Sequence, residues 1–327
     1  MKLQQRFINN SIRRSFLVLT LIFSVSLYAQ DLPKTFSSSE LNIKISEGII
    51  YGTLLEPENP APYPVAIIIA GSGPTDRNGN QAHIQNNSLL FLAESLCRKG
   101  IATLRYDKRL VAQSKMDIKE SDLLFEDYIE DAKLWVELLK KNKKFSKVFV
   151  IGHSEGSLIG MIAAREAKAA GFISIAGVAK AADEIILEQL KTSIPLLYEE
   201  SKTILDSLRK GVIVKEVNPY LLSIFRPNVQ PYVISWIKYN PSVEIKKLHM
   251  PILIIQGTTD IQVSIENAKL LAASNKRAEL KIVEQMNHIL KRAEMDRSKN
   301  IATYMNPDLP VVEEVPIWIE DFIKKHD

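Results

Sequence analysis

Apolar and polar positions change rhythm along the chain. Leu41, Ile43 and Ile45 alternate with Asn42 and Lys44, the period of a strand with one wet face. Ser46-Glu47-Gly48 then turns the chain into a second strand over 49–55, so the pattern predicts an opening β-hairpin. From Val65 the alternation gives way to an unbroken apolar run at 65–70 and largely apolar ones at 101–104, 148–151, 171–176 and 251–256, with a last strand at 280–283. Such runs suit parallel strands covered on both faces. Segments 89–99, 125–141, 158–165, 265–273 and 311–325 carry helical periodicity between and after them. The β–α alternation predicts a doubly wound, mostly parallel sheet. Residues 31–39, polar and serine-containing, read as an irregular start, and 291–309 as a long polar loop.

Between Ala181 and Lys247 the rhythm breaks. Two helices over 183–191 and 195–210 are followed by an irregular stretch with Pro219, Pro227, Pro231 and Pro241. Tyr198, Tyr220, Phe225, Tyr232, Trp236 and Tyr239 are concentrated there. An insertion at this point of the alternation would lie over the carboxyl ends of the strands, where open α/β sheets bind ligands. It reads as a helical lid whose Tyr232 and Trp236 bound a substrate pocket. The alternative is a packed extension away from the site.

The amino-terminal segment stands apart. Lys2, Arg6, Arg13 and Arg14 precede the apolar run 16–23, and small Ala29 comes before Gln30. Basic, apolar and small in that order make an export signal over 1–29, giving a periplasmic or extracellular protein. An uncleaved anchor is the alternative, although the run is short for a membrane span. The segment holds four basic residues and no acidic one, and so accounts for the whole formal charge of +4. The rest is balanced, with no basic surplus to suggest nucleic acid. The organisation is then 1–29 signal, 30–180 first part of the core, 181–247 lid and 248–327 second part. Cys97 is the only cysteine, so an intrachain disulfide and a thiolate metal site are ruled out.

The chemistry gathers at predicted strand ends. Gly152-His153-Ser154-Glu155-Gly156 joins the run 148–151 to a helix and has the G-x-S-x-G pattern of a nucleophile elbow. A serine on so sharp a turn needs small residues two places before and after it. The Glu155 N–H, opening the helix, can stabilise an oxyanion. The loop 71–80, Gly-Ser-Gly-Pro-Thr-Asp-Arg-Asn-Gly-Asn, leaves the run 65–70, and the Ser72 N–H is the candidate second donor. Asp260 follows the run 251–256 and His288 follows 280–283. Ser154 needs a base, His288 can supply it, and Asp260 can fix the imidazole tautomer. Taken singly, Asp260 also reads as a solvated turn residue and His288 as a loop histidine, with Asp107 and Glu266 as reserve acids. His153 reads as part of the elbow, pointing away from the serine's side. No histidine pair has metal-ligand spacing, so no metal is expected.

From about residue 40 onward the chain resembles bacterial α/β-hydrolases of the carboxylesterase or dienelactone-hydrolase-like kind, with similarity also to serine aminopeptidases. It is most similar to a secreted-esterase subgroup with a G-S-G-P-T-D-R-D-G-N loop, an L-R-Y-D-K-R-G-V-G-x-S segment and a G-H-S-E-G-G elbow. Here these stand at 71–80, 104–114 and 152–157. Asn78 replaces an aspartate, Leu110 and Ala112 replace two glycines, and Ser157 replaces the last glycine of the elbow. The resemblance implies the α/β-hydrolase fold and cofactor-free hydrolysis of small carboxylic esters through an acyl-enzyme. Amide or aminopeptide cleavage by the same triad is the nearest alternative. A non-catalytic binding protein of the same fold is the more distant one, and an intact triad argues against it.

Overall fold

The computed structural model describes residues 36–327. The export-signal reading of 1–29 therefore lies outside the described residues. Eight strands form one sheet: β1 Phe36–Ile45, β2 Gly48–Pro57, β3 Tyr63–Ile69, β4 Ala102–Tyr106, β5 Phe145–His153, β6 Gly171–Ile175, β7 Ile252–Gly257 and β8 Ala278–Val283. Their spatial order is β1-β2-β4-β3-β5-β6-β7-β8. The β1–β2 hairpin is antiparallel, and β2 joins β4 antiparallel. From β4 to β8 every pairing is parallel.

The unbroken apolar runs are explained by two cores, one on each face. Val65, Ile67 and Ile69 enter one, while Ala66, Ile68 and Ala70 enter the other. The first face is covered by helices α2 Phe125–Lys140, α3 Glu155–Glu166 and α9 Ile265–Ser274. The second is covered by α1 Ser88–Arg98 and α11 Glu314–His326. Only β1, at the sheet edge, alternates openly with solvent. It also begins earlier than its apolar residues predict. Ser37, Ser38 and Ser39, expected to be irregular, pair with Glu56, Leu55 and Leu54. Backbone pairing at an exposed edge needs no apolar side chain.

The insertion between β6 and β7 contains α4 Ala182–Ser193, α5 Tyr198–Arg209, α6 Leu222–Phe225, α7 Gln230–Trp236 and α8 Pro241–Glu244. It has a small core of its own, built on Leu190, Leu205, Leu208, Leu221 and Phe225. Two contacts carry it to the carboxyl ends of the sheet. The Tyr232 hydroxyl donates to Glu155 Oε1 at 2.8 Å, and Gln189 Nε2 donates to the Gln262 carbonyl at 3.2 Å.

The expected long loop at 291–309 contains a short helix, α10 Arg297–Ala302. Asp296 caps it by accepting from the Lys299 N–H at 2.9 Å. Among the described residues no helix is long and apolar enough to cross a membrane.

Candidate active site

Ser154 occupies the turn between β5 and α3 with φ 54° and ψ −121°, a conformation that side chains rarely adopt. The turn closes only because its flanks are bare. A Cβ on Gly152 would stand 2.2 Å from the Gly156 carbonyl oxygen, and one on Gly156 would stand 2.5 Å from that of Ala70. The Glu155 N–H is the first helical amide beside the serine, with no partner inside α3. On the other side the chain leaving β3 passes close by. A Cβ on Gly71 would lie 3.1 Å from that of Ser154.

Asp260 and His288, on the turns after β7 and β8, are brought together. His288 Nδ1 lies 2.8 Å from Asp260 Oδ2, with both side chains almost wholly buried. Oδ1 of Asp260 accepts from the backbone N–H groups of Gln262 and Val263 at 2.8 and 2.9 Å. Gln256 Nε2 donates to Oδ2 at 3.0 Å. Burial by itself would raise the Asp260 carboxyl. The charge and hydrogen bond of His288, with the two backbone donors, overcome it and hold the group below its ordinary range. Asp260 is thus kept anionic beside the imidazole. The reserve acids are engaged elsewhere: Asp107 accepts from the Arg77 N–H and guanidinium, and Glu266 is exposed beside Lys269.

Ser154 and His288 share the wall of one cavity of about 230 Å³, with Gly71, Ser72, Gln262 and Tyr304. The Ser154–His288 hydrogen bond is not formed among the described residues. Such contacts often tighten only when substrate arrives. Ser72 lines the same cavity, and Glu155 borders the next one.

His153 departs from its sequence reading, for it lines this cavity rather than pointing away from it. Its Nε2 lies 2.7 Å from the His288 carbonyl oxygen, and the two rings are 4.9 Å apart. A carbonyl can only accept, so Nε2 carries the proton. Burial, and next the neighbouring His288, push the His153 pKa down to about 4. It is a neutral prop under the backbone of His288. The sequence signal for it was only its place in the elbow.

Tyr232 lines the adjoining cavity of about 220 Å³ that Glu155 borders, and Trp236 lines neither that cavity nor the one at Ser154. Trp236 stacks on Phe125 at 6.0 Å and 12°, and Tyr232 packs against Phe125 and Tyr128. Apolar area is better buried in this cluster than against a polar cleft. Beyond the cavity at Ser154 lies a groove of about 540 Å³ between α4 and the segment around α10. Ile84, Gln262 and Tyr304 line both spaces, and Gln262 Nε2 donates to the Tyr304 hydroxyl at 3.0 Å.

The two quoted loops interlock at the other end of the cleft. Arg77 from the 71–80 loop pairs with Asp107 at 2.8 Å. Leu110 and Ala112 adopt φ 63° and 45°. They keep the left-handed backbone that glycine would take, at a steric cost of ~1–2 kcal/mol each. No group of three or more His, Cys, Asp or Glu positioned to hold a metal ion occurs among the described residues.

Comparison with known proteins agrees with this architecture. A family model described as "Serine aminopeptidase, S33" matches residues 79–229. Esterase EstD of Thermotoga maritima is 28% identical over 298 residues, covering 88% of this chain and 68% of its own. Among solved structures, Est1E of Butyrivibrio proteoclasticus with ferulic acid bound superposes with a TM-score of 0.58 at 19% identity. That match covers 87% of this chain and 99% of Est1E. The Pyrococcus furiosus esterase Pf2001 gives 0.56 at 16% identity, over 89% and 92% of the two chains. With its sheet order, its serine on a strained strand-to-helix turn and these superpositions, the chain has the α/β-hydrolase fold.

Proposed function

We propose that this protein is a serine esterase that cleaves small carboxylic esters through an acyl-enzyme. The observation that carries the reading is the 2.8 Å contact between Asp260 and His288 at the cavity that also holds Ser154. Its likeness to Esterase EstD supports ester bonds as the target. In this reading Ser154 Oγ attacks the ester carbonyl and its proton passes to His288 Nε2. Asp260 stabilises the resulting imidazolium. The Ser72 and Glu155 N–H groups receive the oxyanion. Collapse expels the alcohol, which takes the proton back from His288, and a water repeats the sequence on the acyl-enzyme. No cofactor takes part.

A fluorophosphonate probe tests the nucleophile. It should label the wild type at Ser154, and Ser154→Ala should lose both labelling and turnover. Equal labelling of the alanine variant would refute the assignment. Amide or aminopeptide cleavage is the second reading, favoured by the match over 79–229 to a family described as a serine aminopeptidase. A panel of chromogenic esters and aminoacyl amides separates the two. Export is proposed from the basic, apolar and small sequence of 1–29. The mature protein should begin at or near Gln30 by mass spectrometry, and an intact Met1 in a membrane fraction would favour an anchor.

A further inference from the structure

Lys108, two residues past the end of β4, is only 1% exposed. Lysine is almost never buried so deeply unless it is paired. Its ammonium donates to the Gly71 carbonyl at 2.6 Å, lies 3.6 Å from Glu155 Oε2 and sits 5.3 Å from the centre of the Tyr128 ring. Glu155 is fixed in turn, since Oε1 accepts from the Tyr232 hydroxyl at 2.8 Å. Oε2 has no hydrogen-bond partner among the described residues and has the Lys108 charge beside it. Burial pulls the lysine toward its neutral form, and the Glu155 carboxylate opposes that. Neither charge is tolerable here without the other.

The position of this pair gives it a consequence for the chemistry. The Gly71 carbonyl and the Ser72 N–H belong to one planar trans peptide, so they point in opposite directions. Whatever holds the oxygen therefore aims the N–H. Glu155, the other member of the pair, carries on its backbone the second candidate oxyanion donor. One buried ion pair thus joins the loop after β3 to the first residue of α3, the two segments that must stay in register around an oxyanion.

We propose that Lys108 is the positioning residue of the oxyanion hole. It holds the Gly71 carbonyl so that the Ser72 N–H is presented to the reacting carbonyl, and through Glu155 it ties that donor to the other. The inference rests on the serine-esterase reading above. A ground-state ester carbonyl makes weaker demands on these donors than the oxyanion does, so a loosened peptide should cost kcat rather than KM.

Two variants test it. Lys108→Met keeps the aliphatic stem but removes donor and charge. Lys108→Met with Glu155→Gln also removes the stranded carboxylate, and it decides the matter if the single variant fails to fold. The readouts are kcat and KM on 4-nitrophenyl acetate, the inhibition constant of phenylboronic acid (which forms a tetrahedral adduct with the serine), and the thermal midpoint. For both variants kcat should fall by ~10²-fold or more, the scale of losing one oxyanion donor. KM should stay within about threefold, and boronate affinity should fall alongside kcat. A double variant with near-normal kcat, a loss carried in KM, or unchanged boronate affinity would overturn the proposal. A wild type that neither labels at Ser154 nor cleaves esters would overturn the esterase reading and this inference with it. That result would be visible before any substitution is made at Lys108.

Discussion

Asp260 Oδ2 lies 2.8 Å from His288 Nδ1, and the other oxygen of the same carboxylate accepts the N–H groups of Gln262 and Val263. The acid is therefore oriented from both ends. Asp260→Asn should lower kcat by ~10⁴-fold, because an amide facing Nδ1 favours the wrong imidazole tautomer. Steady-state kinetics with a fluorophosphonate labelling rate will check it. A near-normal rate would mean that another acid serves. Asp107 is then the control: Asp107→Asn should chiefly destabilise, since it removes the buried partner of the Arg77 guanidinium and leaves it only the exposed carboxylate of Glu40.

His153 gives a prediction in pH. Its folded pKa of about 4 lies below the unfolded value of 6.5. The unfolded chain therefore binds the proton first as pH falls. Stability from this group is present above about pH 6.5 and is lost progressively toward pH 4. The full difference is of the order of 3 kcal/mol. Urea unfolding between pH 7 and pH 4 should show this slope, and His153→Gln, which keeps a donor toward the His288 carbonyl, should flatten it. An unchanged slope would place the proton uptake elsewhere.

Substrate selection should respond at Gln262 and Tyr304 rather than at Trp236. The Gln262–Tyr304 contact stands between the catalytic cavity and the groove beside α4. In the proposed mechanism the leaving alcohol takes its proton from His288, so it departs toward that side. Gln262→Ala should raise relative activity on esters with bulky alcohols. The gain should be gradual, since an apolar pocket gives only ~1–3 kcal/mol per methylene. Trp236→Ala should leave that ratio unchanged and lower stability by ~2–4 kcal/mol through the lost stacking on Phe125. Kinetics on a homologous ester series, with thermal melts, separate the two outcomes. A ratio that moves only with Trp236 would restore the aromatic cluster as the pocket wall.

The left-handed Leu110 and Ala112 predict a stabilising substitution. Leu110→Gly and Ala112→Gly should each relieve strain at φ 63° and 45°. Part of the relief is offset by the greater freedom of glycine in the unfolded chain. A net gain of ~0.5–1 kcal/mol each is expected. Denaturant midpoints will read it, and a loss at Ala112 would show that its backbone is not strained.

The sequence by itself determined whatever depends on near neighbours. Unbroken apolar runs such as 65–70 told that both faces of the sheet are covered, because a residue's burial is written in its own polarity and that of its neighbours. Gly152 told of a tight turn at Ser154, because the clash it avoids, with the Gly156 carbonyl, is within five residues, whereas Gly156 makes room for the distant Ala70 carbonyl. Helix α10 escaped, being short and polar. It is held by distant partners, such as the Asn300 side chain on the Thr259 carbonyl at 2.8 Å. Apart from Asp260 and His288, whose pairing was expected from their order along the chain, the polar groups that meet are set by the folded arrangement. His153 and His288 touch across 135 residues, Lys108 and Gly71 across 37, and Tyr232 and Glu155 across 77. Side chains that far apart in sequence are brought together by assembly of the sheet and docking of the insertion. Local patterning carries no record of either.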